Sequence, residues 1–200
     1  MRPERTLRII AGRWRARRFR FPSSDIRPTP DRVRETLFNW LQPRIEGAHC
    51  LDLFAGSGAL GLEALSRGAA SVLFIEQQRA AAAAIEHWLH TWQASGGVVV
   101  GTEAMHYLSA TPPRGFDIVF LDPPYGSGAL AAAAHGLERG WLARDARVYL
   151  EHARREPLPA LSLSWRELRS GTAGEVGYHL FGCNHSGPVE PVPLGSAATE

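Results

Sequence analysis

Short apolar runs alternate with amphipathic stretches along most of this chain. Residues 50–54 (CLDLF), 72–76 (VLFIE), 98–100 (VVV), 118–122 (IVFLD) and 148–151 (VYLE) are brief runs rich in β-formers, and they predict five strands. Between them the spacing becomes helical, over 59–66, 79–92, 103–108 and 127–138. In the second of these helices Ile85, Trp88, Leu89 and Trp92 share one face. Strands that read as continuous apolar runs, separated by helices, predict a doubly wound parallel α/β sheet.

Both ends of the chain depart from that rhythm. In LRIIAGRWRARRFRF (7–21), β-formers flank Ala11-Gly12, and Phe19 and Phe21 alternate with Arg18 and Arg20, which predicts a basic β-hairpin. PTPDRVRETLFNWL then opens a helix, with Thr29 suited to the N-cap, Pro30 to the first position and Asp31 to the positive end of the dipole. Val33, Leu37, Trp40 and Leu41 fall on one face, and Pro43 follows the end. After the fifth strand, 165–169 and 178–181 on either side of SGTAGEVG predict a closing hairpin. The Pro/Gly/Ser/Ala-rich remainder predicts a disordered tail. The expected organisation is a basic arm at 1–26, an α/β domain at 27–182 and a tail at 183–200.

Composition narrows the class. With 200 residues, 44% hydrophobic and 21% charged, the chain suits one compact domain that buries about 70% of its unfolded surface. No stretch of about 20 apolar residues occurs, and the N-terminus lacks the apolar run of a signal peptide, so a soluble cytoplasmic protein without membrane association is expected. An Arg-rich, acid-poor N-terminus also suits a transit peptide, but these arginines alternate with β-formers instead of lying on a helical face. Cys50 and Cys183 have no CxxC partner and read as reduced thiols. His87 and His90 sit three apart with no third ligand nearby, so no metal is expected.

The net charge of +2 conceals an asymmetry. Residues 1–44 hold 12 Arg against Glu4, Asp25, Asp31 and Glu35, a balance of +8, which leaves the remainder at −6. The chain has no lysine, so the choice of Arg says little. The clustering points to a polyanion bound at one end of the molecule.

In an open α/β sheet, ligands sit at the carboxyl ends of the strands, so the residues that close each strand carry the candidate chemistry. The first strand ends at Asp52 and runs into Gly56, Gly58 and Gly61, which together fit the G-x-G-x-x-G fingerprint of NAD and FAD sites. Such glycines let the backbone approach a ligand and leave helix-head amides free to donate. Glu76 ends the second strand, where a carboxylate can accept from both ribose hydroxyls in either a NAD or an S-adenosylmethionine site. The fourth strand ends in Asp122-Pro123-Pro124-Tyr125. Two prolines remove two donors and present carbonyl oxygens, so Asp122 and the Pro123 carbonyl form an acceptor pair suited to an N–H group. Tyr125 adds a face for stacking a base, worth about 1–3 kcal/mol.

DPPY resembles the [D/N/S]-P-P-[Y/F/W] motif of amino-group methyltransferases that use S-adenosylmethionine. The chemistry suits it, because an exocyclic base amine has its lone pair delocalised into the ring, and two acceptors can hold its hydrogens and turn that lone pair toward a methyl donor. RIIAGRWRARRFRFP, RPTPDRVRETLFNWL, LDLFAGSGALGLEALSRGA and VFLDPPY, in this order, resemble the bacterial RsmD family, whose members methylate the exocyclic N2 of a guanine in small-subunit (16S) ribosomal RNA. The resemblance runs from about residue 7 to residue 181 and includes GWLARDARVYLE.

That resemblance implies a Rossmann-like class I S-adenosylmethionine-dependent methyltransferase fold: a seven-stranded, mostly parallel sheet with an antiparallel closing hairpin, plus an N-terminal basic β-hairpin. It implies that Asp52, Phe54, Gly56, Ser57, Gly58, Glu76 and Ala104 bind S-adenosylmethionine, with no metal. Asp122, Pro123 and Tyr125 then hold the target guanine, while Arg13, Arg15, Arg17, Arg18 and Arg20 grip RNA. The implied partner is 16S rRNA within an assembling small subunit, and a monomer is the simplest state. Gly61 then serves helix packing. Three positions depart from the family pattern: Gln78 where a second acid is frequent, Glu103 where a small polar residue is usual, and Ala11 in place of a hairpin glycine. Thr29 either covers the cofactor or caps its helix.

Three other readings stay open at this point. A NAD-dependent oxidoreductase would use the same glycines and Glu76, but no catalytic His, Lys or Tyr-x-x-x-Lys is evident. A non-catalytic RNA-binding factor would have no need of an intact DPPY. A methyltransferase acting on another base amine, such as adenine N6, would share the motif, which does not distinguish the two bases.

Overall fold

The computed structural model describes residues 4–22 and 29–184. Two strands, β1 (Glu4–Arg8) and β2 (Arg18–Pro22), form an antiparallel pair. Helix α1 (Asp31–Leu41) leads into β3 (His49–Asp52), α2 (Ala59–Ser66), β4 (Ser71–Ile75), α3 (Arg79–Thr91), β5 (Gly97–Val100), α4 (Ala104–Ala110) and β6 (Phe116–Leu121). Helix α5 (Ala129–Leu137) precedes β7 (Leu142–Ala153), β8 (Trp165–Ala173) and β9 (Val176–Asn184). The seven strands of the main sheet lie in the order β5-β4-β3-β6-β7-β9-β8. β3 to β7 pair in parallel, while β9 runs antiparallel to both β7 and β8. This is the expected mostly parallel sheet with a closing hairpin.

The sheet is buried on both faces, which is why its central strands read as unbroken apolar runs. Every residue of β4 is buried. Alternate residues serve opposite cores: Cys50, Val72, Phe74, Ile118 and Phe120 meet α1, α2 and α3, whereas Leu51, Leu73, Ile75, Val119 and Leu121 meet α4 and α5. Chain order makes β3 the switch point, because the chain winds outward through β4 and β5 and then returns to place β6 on the other side of β3.

The N-terminal pair packs on this body. Ile9, Trp14 and Phe19 are buried in the same core as α1 to α3. Trp92 at the end of α3 lies 5.2 Å from the Trp14 ring and edge-on to Phe19 at 6.0 Å. The Trp88 indole donates to the Arg20 carbonyl at 2.8 Å. Phe19 and Phe21 point inward between exposed Arg18 and Arg20, following the period-two pattern of the sequence.

Several boundaries differ from the sequence reading. The strands are not joined by a tight turn at Ala11-Gly12, since β1 ends at Arg8 and residues 9–17 form a loop that docks on the C-terminal end of α2. Gly12 has φ +82°, and a Cβ there would lie 1.9 Å from the Ser66 carbonyl oxygen. The glycine is required by this close approach instead of by a hairpin turn. Pro30, not Thr29, occupies the N-cap position of α1, and no side chain caps the helix, because the Thr29 hydroxyl is engaged elsewhere. The fifth sheet strand spans 12 residues, since pairing with β9 extends it beyond the apolar run. β9 also continues through Cys183 and Asn184, opposite Ala146 and Asp145, and Cys183 is buried. The rest of the expected tail, 185–200, and the arm positions 1–3 and 23–26 lie outside the described residues.

Candidate active site

A cavity of about 420 Å³ opens at the carboxyl ends of β3, β4 and β6, within the size range of small-ligand sites. Asp52, Phe54, Gly56, Ser57, Glu76, Ala104, Asp122, Pro123 and Tyr125, all expected ligand-binding or catalytic residues, line it. Gly58 does not. Its amide donates to the Ala55 carbonyl at 2.7 Å and the residue heads α2, so it shapes the turn.

The loop after β3 is held by carboxylates. Asp52 is buried and its Oδ2 accepts from the Gly61 amide at 3.0 Å. Burial pushes its carboxyl up to about 7, with the neighbouring Glu76 charge adding to that and the Gly61 amide opposing it. Glu76 accepts from the Gly56 amide through Oε2 at 2.7 Å and from the Gln78 amide through Oε1 at 2.6 Å. Burial raises its pKa as well, against the two amides. The Gly56 amide is therefore not free for a ligand, contrary to expectation, because a buried amide beside a carboxylate pairs with it. The consequence is a fixed Glu76, with the remaining lone pairs of each oxygen available to hydroxyl donors. Gly61 follows the packing expectation, since a Cβ there would lie 2.1 Å from the Phe74 ring.

Two of the three departures from the pattern, Gln78 and Glu103, line the cavity. Gln78 precedes α3 at its N-cap position, and Glu103 caps α4 by accepting from the amides of Met105 and His106 at 2.9 and 2.7 Å. Capping is a role that a small polar residue also fills, so Glu103 keeps the helix start that places Ala104 on the cavity wall.

Opposite Glu76, the DPPY turn follows β6. Asp122 is partly buried, Pro123 is buried, and Tyr125 is 39% exposed at the mouth. Desolvation pushes the Asp122 carboxyl well up, the Glu151 and Asp52 charges add to this, and contact with Thr29 opposes it. Thr29 is buried, with its Oγ1 2.8 Å from Glu151 Oε1 and 3.5 Å from Asp122 Oδ2. The Tyr149 hydroxyl reaches the same Glu151 oxygen at 2.8 Å. Of the two sequence readings of Thr29, the structure brings it to the cavity wall and gives it no capping bond.

The family model described as "Conserved hypothetical protein 95" matches residues 7–182. The Escherichia coli K12 protein named "Ribosomal RNA small subunit methyltransferase D" is 48% identical over 179 residues, covering 88% of this chain and 89% of the relative. The chain belongs to the RsmD family. A Haemophilus influenzae protein of the same name is 41% identical over 180 residues, covering 88% of this chain and 93% of the relative. The solved structure of Escherichia coli yhhF superposes with a TM-score of 0.85 at 44% identity, covering 90% of this chain and 99% of that one. The fold is accordingly the Rossmann-like class I methyltransferase fold that the RsmD resemblance implied.

Sequence reasoning missed Glu151 and Tyr149. The strand-end rule that selects Asp52, Glu76 and Asp122 also reaches Glu151, which closes the expected fifth strand, but nothing local marks it as buried against Thr29. The expected RNA-gripping arginines, Arg13, Arg15, Arg17, Arg18 and Arg20, are all exposed on the docked loop and β2. Both cysteines are buried and free of disulfides, with their thiols pushed up by burial. Among the described residues, no group of three or more His, Cys, Asp or Glu could hold a metal ion, and no helix is long and apolar enough to cross a membrane.

Proposed function

We propose that this chain transfers a methyl group from S-adenosylmethionine to the exocyclic N2 amine of a guanine in 16S rRNA, acting as a cytoplasmic monomer on an assembling small ribosomal subunit. The observation that carries the reading is one cavity lined by Asp52 and Glu76 on one side and by Asp122, Pro123 and Tyr125 on the other, at the switch point of the sheet. Membership of a family whose named relatives are small-subunit rRNA methyltransferases supports it.

The residues present fit the cofactor. Glu76, already fixed by two amides, accepts from the ribose hydroxyls, and Asp52 with Phe54, Gly56, Ser57 and Ala104 forms the surrounding wall. When bound, S-adenosylmethionine supplies an electrophilic methyl on a sulfonium sulfur. Asp122 and the Pro123 carbonyl accept from the two amine hydrogens and orient the nitrogen lone pair, while Tyr125 stacks on the base. The exposed arginines of the N-terminal arm contact phosphates and keep the RNA over the mouth. In this organisation 1–26 is the RNA-binding arm and 27–182 the methyltransferase domain.

Incubation with 16S rRNA or immature small subunits and S-adenosylmethionine, followed by mass-spectrometric mapping, tests this directly. N2-methylguanine is expected. N6-methyladenine would overturn the choice of base, and NADH binding without S-adenosylmethionine binding would overturn the reaction class.

A further inference from the structure

Behind Asp122 lies a line of polar groups with a defined direction. Tyr149 and Glu151, two residues apart on β7, project to the same face, and both are buried. Glu151 Oε1 lies 2.8 Å from the Tyr149 hydroxyl and 2.8 Å from Thr29 Oγ1. A threonine hydroxyl has one hydrogen and two lone pairs. The shorter 2.8 Å contact takes that hydrogen, so Glu151 Oε1 accepts from both hydroxyls, an arrangement that suits a carboxylate. The Asp122 Oδ2 contact, at 3.5 Å, lies at the outer limit of hydrogen bonding and faces a Thr29 lone pair. With the Thr29 hydrogen at Glu151, a bond there forms only when Asp122 is protonated; turned to Asp122 instead, that hydrogen lowers the Asp122 pKa, so the two carboxyls compete for one hydroxyl. Its other oxygen still accepts from an amine, so orientation of the base and protonation of Oδ2 are compatible.

We propose that Asp122, Thr29 and Glu151 form a proton relay in which the buried Glu151 carboxylate is the final acceptor of the proton lost by the target amine. The proposal rests on the reading that Asp122 holds that amine. As the N–CH3 bond forms from the nitrogen lone pair and the S–CH3 bond breaks with its electrons left on sulfur, nitrogen releases one proton to Asp122. The Oδ2 proton passes to Thr29, and the Thr29 hydroxyl proton passes to Glu151. The positive charge of the sulfonium and the negative charge of Glu151 disappear together, so the step creates no net charge. After product leaves, the proton returns through Asp122 to water at the cavity mouth.

The surroundings favour this assignment. The groups acting on Asp122 are Glu151 and Asp52, and those acting on Tyr149 are Glu151, Asp122 and Tyr178 of β9. Acids this close share protons instead of all ionising. Tyr149 is buried with its hydroxyl held well above its ordinary range by desolvation and the Glu151 charge, so it acts as a fixed donor that steadies Glu151.

The test compares Thr29→Val, Thr29→Ser and Glu151→Gln with the unaltered protein. Thr29→Val and Glu151→Gln are expected to lower kcat by about 100-fold, the lower end of general acid–base contributions, with KM for RNA and S-adenosylmethionine unchanged. Thr29→Ser restores what Thr29→Val loses, and the rising acid limb of the kcat profile disappears in Glu151→Gln. A second readout needs no turnover. In a pH titration, infrared spectra of the ligand-free protein contain a protonated-carboxyl C=O band that persists above the ordinary carboxylate range and that Asp122→Asn removes. Persistence of that band in Asp122→Asn, or unaltered kcat and pH profiles in folded Thr29→Val and Glu151→Gln, overturns the relay. Absence of methyl transfer by the unaltered protein overturns the proposed function instead.

Discussion

The Glu63 carboxylate reaches across 53 positions of sequence to accept the Ile10 amide at 2.8 Å, and its other oxygen accepts the Ala11 amide at 3.0 Å. Glu63 is fully buried in α2, ion-paired with Arg67 at 2.8 Å, and 3.7 Å from the fully buried Arg34, which also holds Asp31 and the Arg8 carbonyl. The arginine-bearing loop is thus fastened to the helix whose other end borders the cavity. Glu63→Ala leaves Arg34 and two amides without this partner. The expected loss is about 3–5 kcal/mol in urea unfolding, with weaker RNA binding.

Asp122→Ala removes the carboxyl acceptor while leaving Asp52, Glu76 and the loop after β3 in place. Methyl transfer should be abolished and S-adenosylmethionine affinity by calorimetry largely kept. Retained turnover would refute the assigned role.

Replacing Arg15, Arg17 and Arg18 with Gln removes exposed charges from the docked loop and β2 without touching the buried aromatic cluster. RNA affinity should fall, and each lost phosphate contact should lower the slope of log K against log salt by about 0.7–0.9. A slope unchanged from that of the parent protein would mean these arginines do not contact phosphate.

Asp52 sets a pH dependence of folding. Its folded value of about 7 exceeds the ordinary 3.8, so the folded state binds the proton more tightly than the unfolded chain. The stability from this group is complete below about pH 4 and is lost as the pH rises through about 7. Glu76 and Asp122 shift in the same direction. Urea midpoints of the ligand-free protein should fall across that window, and Asp52→Asn should flatten the fall.

Gly61→Ala forces a methyl against the fully buried Phe74 ring. A loss of about 1–3 kcal/mol is expected in thermal or urea unfolding, the usual cost of overpacking. An unchanged midpoint would return Gly61 to the dinucleotide reading.

Much of the architecture is legible from local pattern, because apolar strands and amphipathic helices report burial on one or both faces. The alternation of 50–54, 72–76, 98–100 and 118–122 with helical stretches carries the sheet, and the strand-end residues Asp52, Glu76 and Asp122 follow from where open sheets bind ligands. DPPY at 122–125, read with the glycine loop, specifies an acceptor pair for an N–H group. Those are properties of residues near one another in sequence.

What tertiary structure decided depends on pairs far apart in the chain. Thr29 suits a helix cap by every local criterion, yet packing against β7 turns its hydroxyl to Glu151, 122 positions away. Gly12 looks like a hairpin turn until α2 brings the Ser66 carbonyl against it. The Gly56 amide looks available to a ligand until β4 places Glu76 2.7 Å from it. The Thr29 hydroxyl and the Gly56 amide, leaving water, take the nearest strong partner, and Gly12 leaves room for a neighbouring carbonyl; in each case the neighbour is set by the assembled core.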